Sequence, residues 1–245
     1  MNAPYLAWAL MSDTVVHSQP AFILHQQHYR ESSLIIDVLT RDLGRISLVA
    51  KGVRKAKSKT VGILRPFTGL SLSFVGKSDL RTLTDAEMVG LPNELIGLAL
   101  YCGFYINELV SNFLHKDDPH PEVFADYQDC LSKLAQGTHI EAALRVFELN
   151  LMDYVGYGVN LRYDLHNEKP ITPNKKYLFN KDAGLVEDSD GPFSGSALQA
   201  MEQRQFDDPT VLNVAKQLMR TVIDSHLHGK QLKSRSFINN IVKRL

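Results

Sequence analysis

The chain has 245 residues, 44% of them hydrophobic and 22% charged, so it is long enough to bury a real core as one large domain or two small ones. No apolar run approaches the roughly 18 residues that a transmembrane helix needs. Two widely spaced cysteines, Cys102 and Cys130, argue against a disulfide scaffold and nearly exclude a cysteine zinc site, which makes a cytoplasmic location the expectation. The 27 basic and 27 acidic residues cancel, but they are segregated. Residues 20–90 hold 11 basic and 6 acidic side chains, residues 91–215 hold 9 and 19, and residues 216–245 hold 7 and 1. Basic ends around an acidic middle point to an anionic partner for the ends.

The first stretch, "MNAPYLAWALMSDTVV", has a short apolar run with no basic residue before it, so residues 1–19 are expected to be a flexible leader and not a signal peptide. Strands follow. "AFILHQQ", "SSLIIDVLT" and "RISLVAKG" are β-branched apolar runs, the last two joined by a turn at Arg41-Asp42-Leu43-Gly44. "GLSLSFVG" alternates, with Leu70, Leu72 and Phe74 on one face, and "LRTLTDAEMVG" is a weaker fifth strand. Five short strands with a longer connection after the third predict a small barrel of the OB type over residues 20–90; an SH3-like barrel fits the pattern almost as well.

Beyond Pro92 the period changes from 2 to 3.6, and residues 91–245 are expected to be α-helical. One helix places Leu95, Leu98, Cys102, Tyr105, Leu109 and Phe113 on a stripe. A second opens near Pro121 with Val123, Tyr127, Cys130 and Leu134 inward. A third groups Leu144, Phe147, Leu151 and Tyr154 and ends at Gly156. Asp208-Pro209 starts a helix that stops at Gly229, and "SFINNIVKRL" makes a short last one. Residues 157–195 read as an irregular insertion with one hairpin in "KKYLFNKDAGLVED". The fold class is therefore α+β multidomain: an N-terminal OB-fold β-barrel, then an α-helical domain with a small β-hairpin insertion.

Most apparent motifs fail. Gly76-Lys77-Ser78 lacks the earlier glycine of a phosphate loop, since position 71 is Ser71, and it reads as a strand end. "HKDDPH" at 115–120 could hold a metal through His115, Asp117 and His120, but it also looks like a helix start. "GPFSG" at 191–195 misplaces its serine for a hydrolase elbow. No nucleophile, base and orienting group declare themselves. The strongest local signal is "VAKGVRKAKSKTVGILRPF" at 49–67, with Lys51, Arg54, Lys55, Lys57, Lys59 and Arg65 and no acid. On a barrel loop it is either a solvated surface or a phosphate-binding loop that releases counterions. Tyr29, Phe67 and Phe74 are the aromatic candidates for base stacking, with Phe74 placed by its strand face in the core.

Taken together, "ESSLIIDVLTRDLGRISLVAKGVRK", "LRPFTGLSLSF", "LYCGFYINELV", "LRVFELNLMDYVGYGVNL" and "GKQLKSR" at 229–235 resemble the bacterial recombination mediator family RecO. The resemblance implies an OB-fold and a helical domain, binding of single- and double-stranded DNA, strand annealing, and help in loading RecA onto strands coated by the single-stranded DNA-binding protein SSB. It implies RecR and the acidic SSB C-terminal tail as partners, a nucleoid-associated cytoplasmic place, and no enzyme activity, cofactor, membrane or small-molecule substrate. DNA-binding falls to Lys51, Arg54, Lys55, Lys57, Lys59 and Arg65. The SSB tail, acidic with an apolar end, needs an apolar groove beside cations, for which Arg145, Leu149, Lys230, Lys233 and Arg235 are the candidates. Many members carry a four-cysteine zinc module after the "GYGVNL" block; here residues 160–195 hold no cysteine and one histidine, His166, so the insertion must be held by packing. The reading from a different class is an adaptor whose basic loop binds an acidic protein surface.

Overall fold

The computed structural model describes residues 14–56 and 58–242, with side chains through Ile238. Two compact units emerge: the described part of Met1–Glu94 together with Leu114–Phe124, and Leu95–Phe113 together with the described part of Ala125–Leu245.

In the first unit, β1 (Val15–Tyr29), β2 (Ser33–Thr40), β3 (Gly44–Ala50), β4 (Leu70–Val75) and β5 (Leu80–Met88) close into a barrel of order β1-β2-β3-β5-β4. Closure comes from β1, which pairs with β2 through its second half and with β4 through its first, and from a parallel β3–β5 pairing. Register shifts at Val16/Gln19 and Ile23/His25 bend this long strand around the barrel, as bulges do. Val15 to Gln19, expected in the leader, are thus strand residues; residues 1–13 of that leader lie outside those described. The inward positions are the alternating ones: Ile23, Ile36, Val38, Leu48, Leu70, Leu72 and Phe74 lie in one closed core. At the Arg41–Gly44 turn the Thr40 hydroxyl donates to the Gly44 carbonyl at 2.7 Å, and Gly44 takes φ +67°, a left-handed conformation that favours glycine. The Gly76-Lys77-Ser78 segment is the β4–β5 connection, as its strand-end reading predicts.

Leu114–Phe124 belongs to the barrel unit through specific bonds. The Asp117 amide donates to the Arg45 carbonyl at 3.0 Å, and Lys116 donates to Ser47 Oγ at 2.8 Å. Asp117 pairs with Arg81, and Phe124 packs its ring 5.3 Å from Phe22. The candidate metal cluster is spent on these contacts: Asp117 is held by Arg81, and Asp118 faces His120 Nε2 at 3.2 Å. Among the described residues no group of three or more His, Cys, Asp or Glu is placed to hold a metal.

The second unit contains α1 (Leu98–Phe113), the greater part of α2 (Pro121–Gln136), α3 (Ile140–Tyr154), α4 (Gly195–Glu202), α5 (Pro209–His226) and α6 (Lys233–Val242). α1 starts only at Leu98 because Gly97 takes φ +58°. Leu144, Phe147 and Leu151 of α3 are buried, while Tyr154, in the last turn, is 41% exposed and leaves the expected stripe. Asp208 caps α5 by accepting the Thr210 amide at 2.7 Å, with Pro209 at the first helical position. α6 begins three residues before "SFINNIVKRL". The Glu108 carboxylate on α1 accepts the amides of Lys233 and Ser234, both at 2.9 Å, and so caps that N-terminus.

The insertion forms two small sheets: β6 (Tyr163–Asp164) with β7 (Lys169–Pro170), and β8 (Lys176–Asn180) between β9 (Gly184–Glu187) and β10 (Phe193–Ser194). The buried Asp164 carboxylate links them. It accepts the Asn167 amide at 2.9 Å, the Asn167 side chain at 2.7 Å and the Glu187 amide at 2.7 Å. Burial disfavours its charge, but these donors outweigh that and hold its pKa below the usual carboxylate value.

Candidate nucleic-acid interface and peptide pocket

The β3–β4 connection is built as an anchored arch. Val53 and Leu64 are buried and tie it to the barrel, and a 3-10 turn at Thr60–Gly62 shapes its far side. The Arg54 amide donates to the Ser32 carbonyl at 2.9 Å, and the Gly52 amide to Ser33 Oγ at 3.4 Å, so the start of the arch is fastened to the β1–β2 turn. Lys51, Arg54, Lys55, Lys59 and Arg65 are all exposed, and among the described residues none of them makes an ion pair. Lys57, the sixth basic residue of this segment, lies outside the described residues. Cations without ion-pair partners are free to meet phosphate without first breaking a salt bridge.

Where the arch meets the β1–β2 turn there is an open cleft of about 600 Å³, lined by Tyr29, Arg30, Ser32, Lys51, Gly52 and Lys55, among others. Arg30 adds a cation that no charge-run reading of residues 49–67 could contain. Its guanidinium sits 5.1 Å from the centre of the Tyr29 ring, and its carbonyl accepts from the Arg54 guanidinium at 3.5 Å. The signal for it was available: OB-type barrels use the loop between their first two strands in binding oligonucleotides. Of the three aromatic candidates, Tyr29 lines this cleft, whereas Phe67 and Phe74 are buried.

The second unit holds a smaller cavity of about 150 Å³ between α1, α3, α5 and α6. Its apolar lining includes Leu98, Leu144, Ile140 and Ile238, and its cations are Arg145, Lys216, Arg220 and Arg235. Arg145 donates to Glu148 Oε1 at 2.6 Å, and the Tyr105 hydroxyl donates to the same oxygen at 2.7 Å. Burial pushes the Glu148 carboxyl above its usual range, against the pull of Arg145 and the Tyr105 bond. Arg145 Nε and Glu148 Oε2 are buried without a hydrogen-bond partner. At the rim, Lys216 pairs with Glu141 at 3.2 Å and Arg235 pairs with Asp224. Of the five residues expected at a tail pocket, Arg145 and Arg235 line this cavity. Leu149 is buried but does not line it, and Lys230 and Lys233 stand apart from it. Lys216 and Arg220 were missed because α5 joins the pocket only through tertiary packing; their spacing of four, one face of a helix, was the available hint.

Family models described as Recombination protein O N terminal and Recombination protein O C terminal match residues 11–92 and 97–236. The chain belongs to the RecO family. The DNA repair protein RecO of Methylococcus capsulatus is 40% identical over 222 residues, covering 90% of this chain and 92% of that protein. That of Burkholderia pseudomallei is 42% identical over 233 residues, covering 93% and 84%, and that of Shigella boydii 39% over 230 residues, covering 92% and 95%. The N-terminal RecO match spans the barrel and its basic arch, and the C-terminal match reaches Arg235 and so contains nearly all of the four-cation pocket. No helix among the described residues is long and apolar enough to cross a membrane.

Proposed function

We propose that this chain is a non-enzymatic DNA repair factor that binds single- and double-stranded DNA through the β3–β4 arch and anneals complementary strands. The observation that carries the reading is the set of exposed, unpaired cations, Lys51, Arg54, Lys55, Lys59 and Arg65, on an arch fastened to the mouth of a closed OB-type barrel. Lys57 extends the same run in sequence. Cations on both strands lower the repulsion that opposes pairing, and every neutralised phosphate releases counterions. Relatives named DNA repair protein RecO support the repair part of this reading. The reading extends to the recombination mediator's task, acting on SSB-coated single strands and assisting RecA loading with RecR as partner.

The four-cation pocket is the proposed seat of the acidic SSB tail. Its small volume suits one apolar side chain, and Arg145, Lys216, Arg220 and Arg235 suit the acids and terminal carboxylate beside it. The rim pairs that must open are solvent-exposed on their carboxylate side, and such pairs are worth only about 0–1 kcal/mol each.

The deciding experiment is fluorescence anisotropy of a labelled single-stranded oligonucleotide at several salt concentrations, with an annealing assay alongside. A log–log slope of about −2 to −4, at roughly −0.7 per phosphate, is expected. Reversing Lys51, Lys55 and Lys59 to Glu should abolish binding and annealing without unfolding the barrel. Unchanged affinity in that variant would overturn the reading. Binding without accelerated annealing would favour an adaptor whose loop meets acidic protein surfaces.

A further inference from the structure

The second unit carries another concave surface, unused by either proposed site. It is a groove of about 500 Å³ walled by Tyr157, Tyr163, His166, Phe179, Lys181 and His226. Tyr157 is 40% exposed, Tyr163 49% and Leu165 60%, so large apolar side chains are concentrated in one depression where scattered ones would need no explanation.

The walls are set before any ligand arrives. Tyr157 stacks on His226, ring centres 4.4 Å apart and planes 29° from parallel, and meets Phe113 edge-on at 6.3 Å. His226 Nδ1 lies 2.9 Å from the Val222 carbonyl, which fixes the ring. Asn160 Oδ1 accepts the amides of Arg162 and Tyr163, both at 3.0 Å, and places the Tyr163 strand. Asn180 Oδ1 accepts the amides of Asp182 and Ala183 at 2.8 and 3.1 Å, which sets the β8–β9 tip carrying Lys181. A surface already ordered loses little side-chain entropy on binding.

Five of the six side chains named in the wall are flat rings, and two of them are histidines that also exchange hydrogen bonds. That suits planar, partly polar ligands better than aliphatic ones. Nucleobases are such ligands, and stacking on aromatic rings tolerates any base. Lys181 at the rim can meet a phosphate, while Asp182 beside it keeps the groove nearly neutral. A duplex cannot present its bases this way without unstacking.

We propose that this groove receives splayed bases of single-stranded DNA, giving the second unit a stacking contact separate in kind from the ionic arch. The inference rests on the DNA-binding reading and adds where single strands are distinguished from duplex. Its contribution should be nearly independent of salt.

The test uses the full chain and an oligothymidine carrying one 5-iodouracil. Irradiation followed by peptide mapping should place adducts on Tyr157, Tyr163 or His226. Tyr163→Ala should weaken single-strand binding by about fivefold or more, the lower end for loss of one base stack. That loss should persist at high salt, spare duplex binding, and be restored by Tyr163→Phe. Adducts confined to residues 29–65, or a Tyr163→Ala variant that binds like the wild type, would overturn this inference alone. A wild type that binds no oligonucleotide even at low salt would overturn it together with the arch reading.

Discussion

Arg145 and Glu148 lie one turn apart on α3 with almost no solvent around them, which makes their charges interdependent. Glu148 Oε1 has two donors, Arg145 and Tyr105, so removing the guanidinium leaves a buried carboxylate with one neutral donor. Arg145→Ala should therefore destabilise the chain by about 3–5 kcal/mol, read as a shift in the urea midpoint. A loss under 1 kcal/mol would show that Glu148 does not stay both buried and charged once Arg145 is gone. The same substitution cannot test peptide binding cleanly, because it changes stability as well. Lys216→Ala and Arg220→Ala, both on exposed rim positions of α5, separate the two effects. Two steps away in the same pocket, burial pushes the Cys102 thiol up to about 11, which explains why an unpaired cysteine is tolerated beside four cations: it stays a small apolar group at neutral pH.

At the scale of elements, the two small sheets of the insertion are joined through one carboxylate, that of Asp164. Because Asp164 is held below its ordinary value near 3.8, its contribution to stability is present above that pH and is lost as pH falls through the lowered value. Asp164→Asn should cost about 1–3 kcal/mol at pH 6, since two backbone amides lose a charged acceptor. The gap between the two proteins should narrow below pH 4, as the wild type loses its own anion. Urea midpoints at pH 6 and pH 3 check this, and a constant gap would refute it. The elements most legible in the sequence were those with a strong period: β4, where Leu70, Leu72 and Phe74 alternate with serines, and α5, announced by Asp208-Pro209. α4 was not legible, because eight residues with a Ser194 cap carry too few turns to show periodicity. The start of β1 was hidden for a related reason. Val15 to Gln19 are mostly exposed, and only pairing with β4 makes them a strand. The arch could be read from a charge run in one short segment, whereas the four-cation pocket could not, because its residues come from four helices spread from Leu98 to Ile238.

For the whole molecule, domain order and chain order do not coincide. Leu114–Phe124 follows α1 in sequence yet completes the barrel unit, where Lys116, Asp117 and Phe124 satisfy Ser47, Arg45, Arg81 and Phe22. A fragment of residues 14–94 should melt lower than the same fragment carrying residues 114–124 through a short Gly-Ser linker. Equal melting temperatures would mean that the segment is dispensable. The dependence reaches back to synthesis. Domains generally fold from the N-terminus as they leave the ribosome, but this barrel stays incomplete until its eleven-residue patch has emerged behind α1. Until then Phe22 and the open end of β3 face solvent uncovered, and the nascent chain must wait for a piece of itself that has not yet been translated.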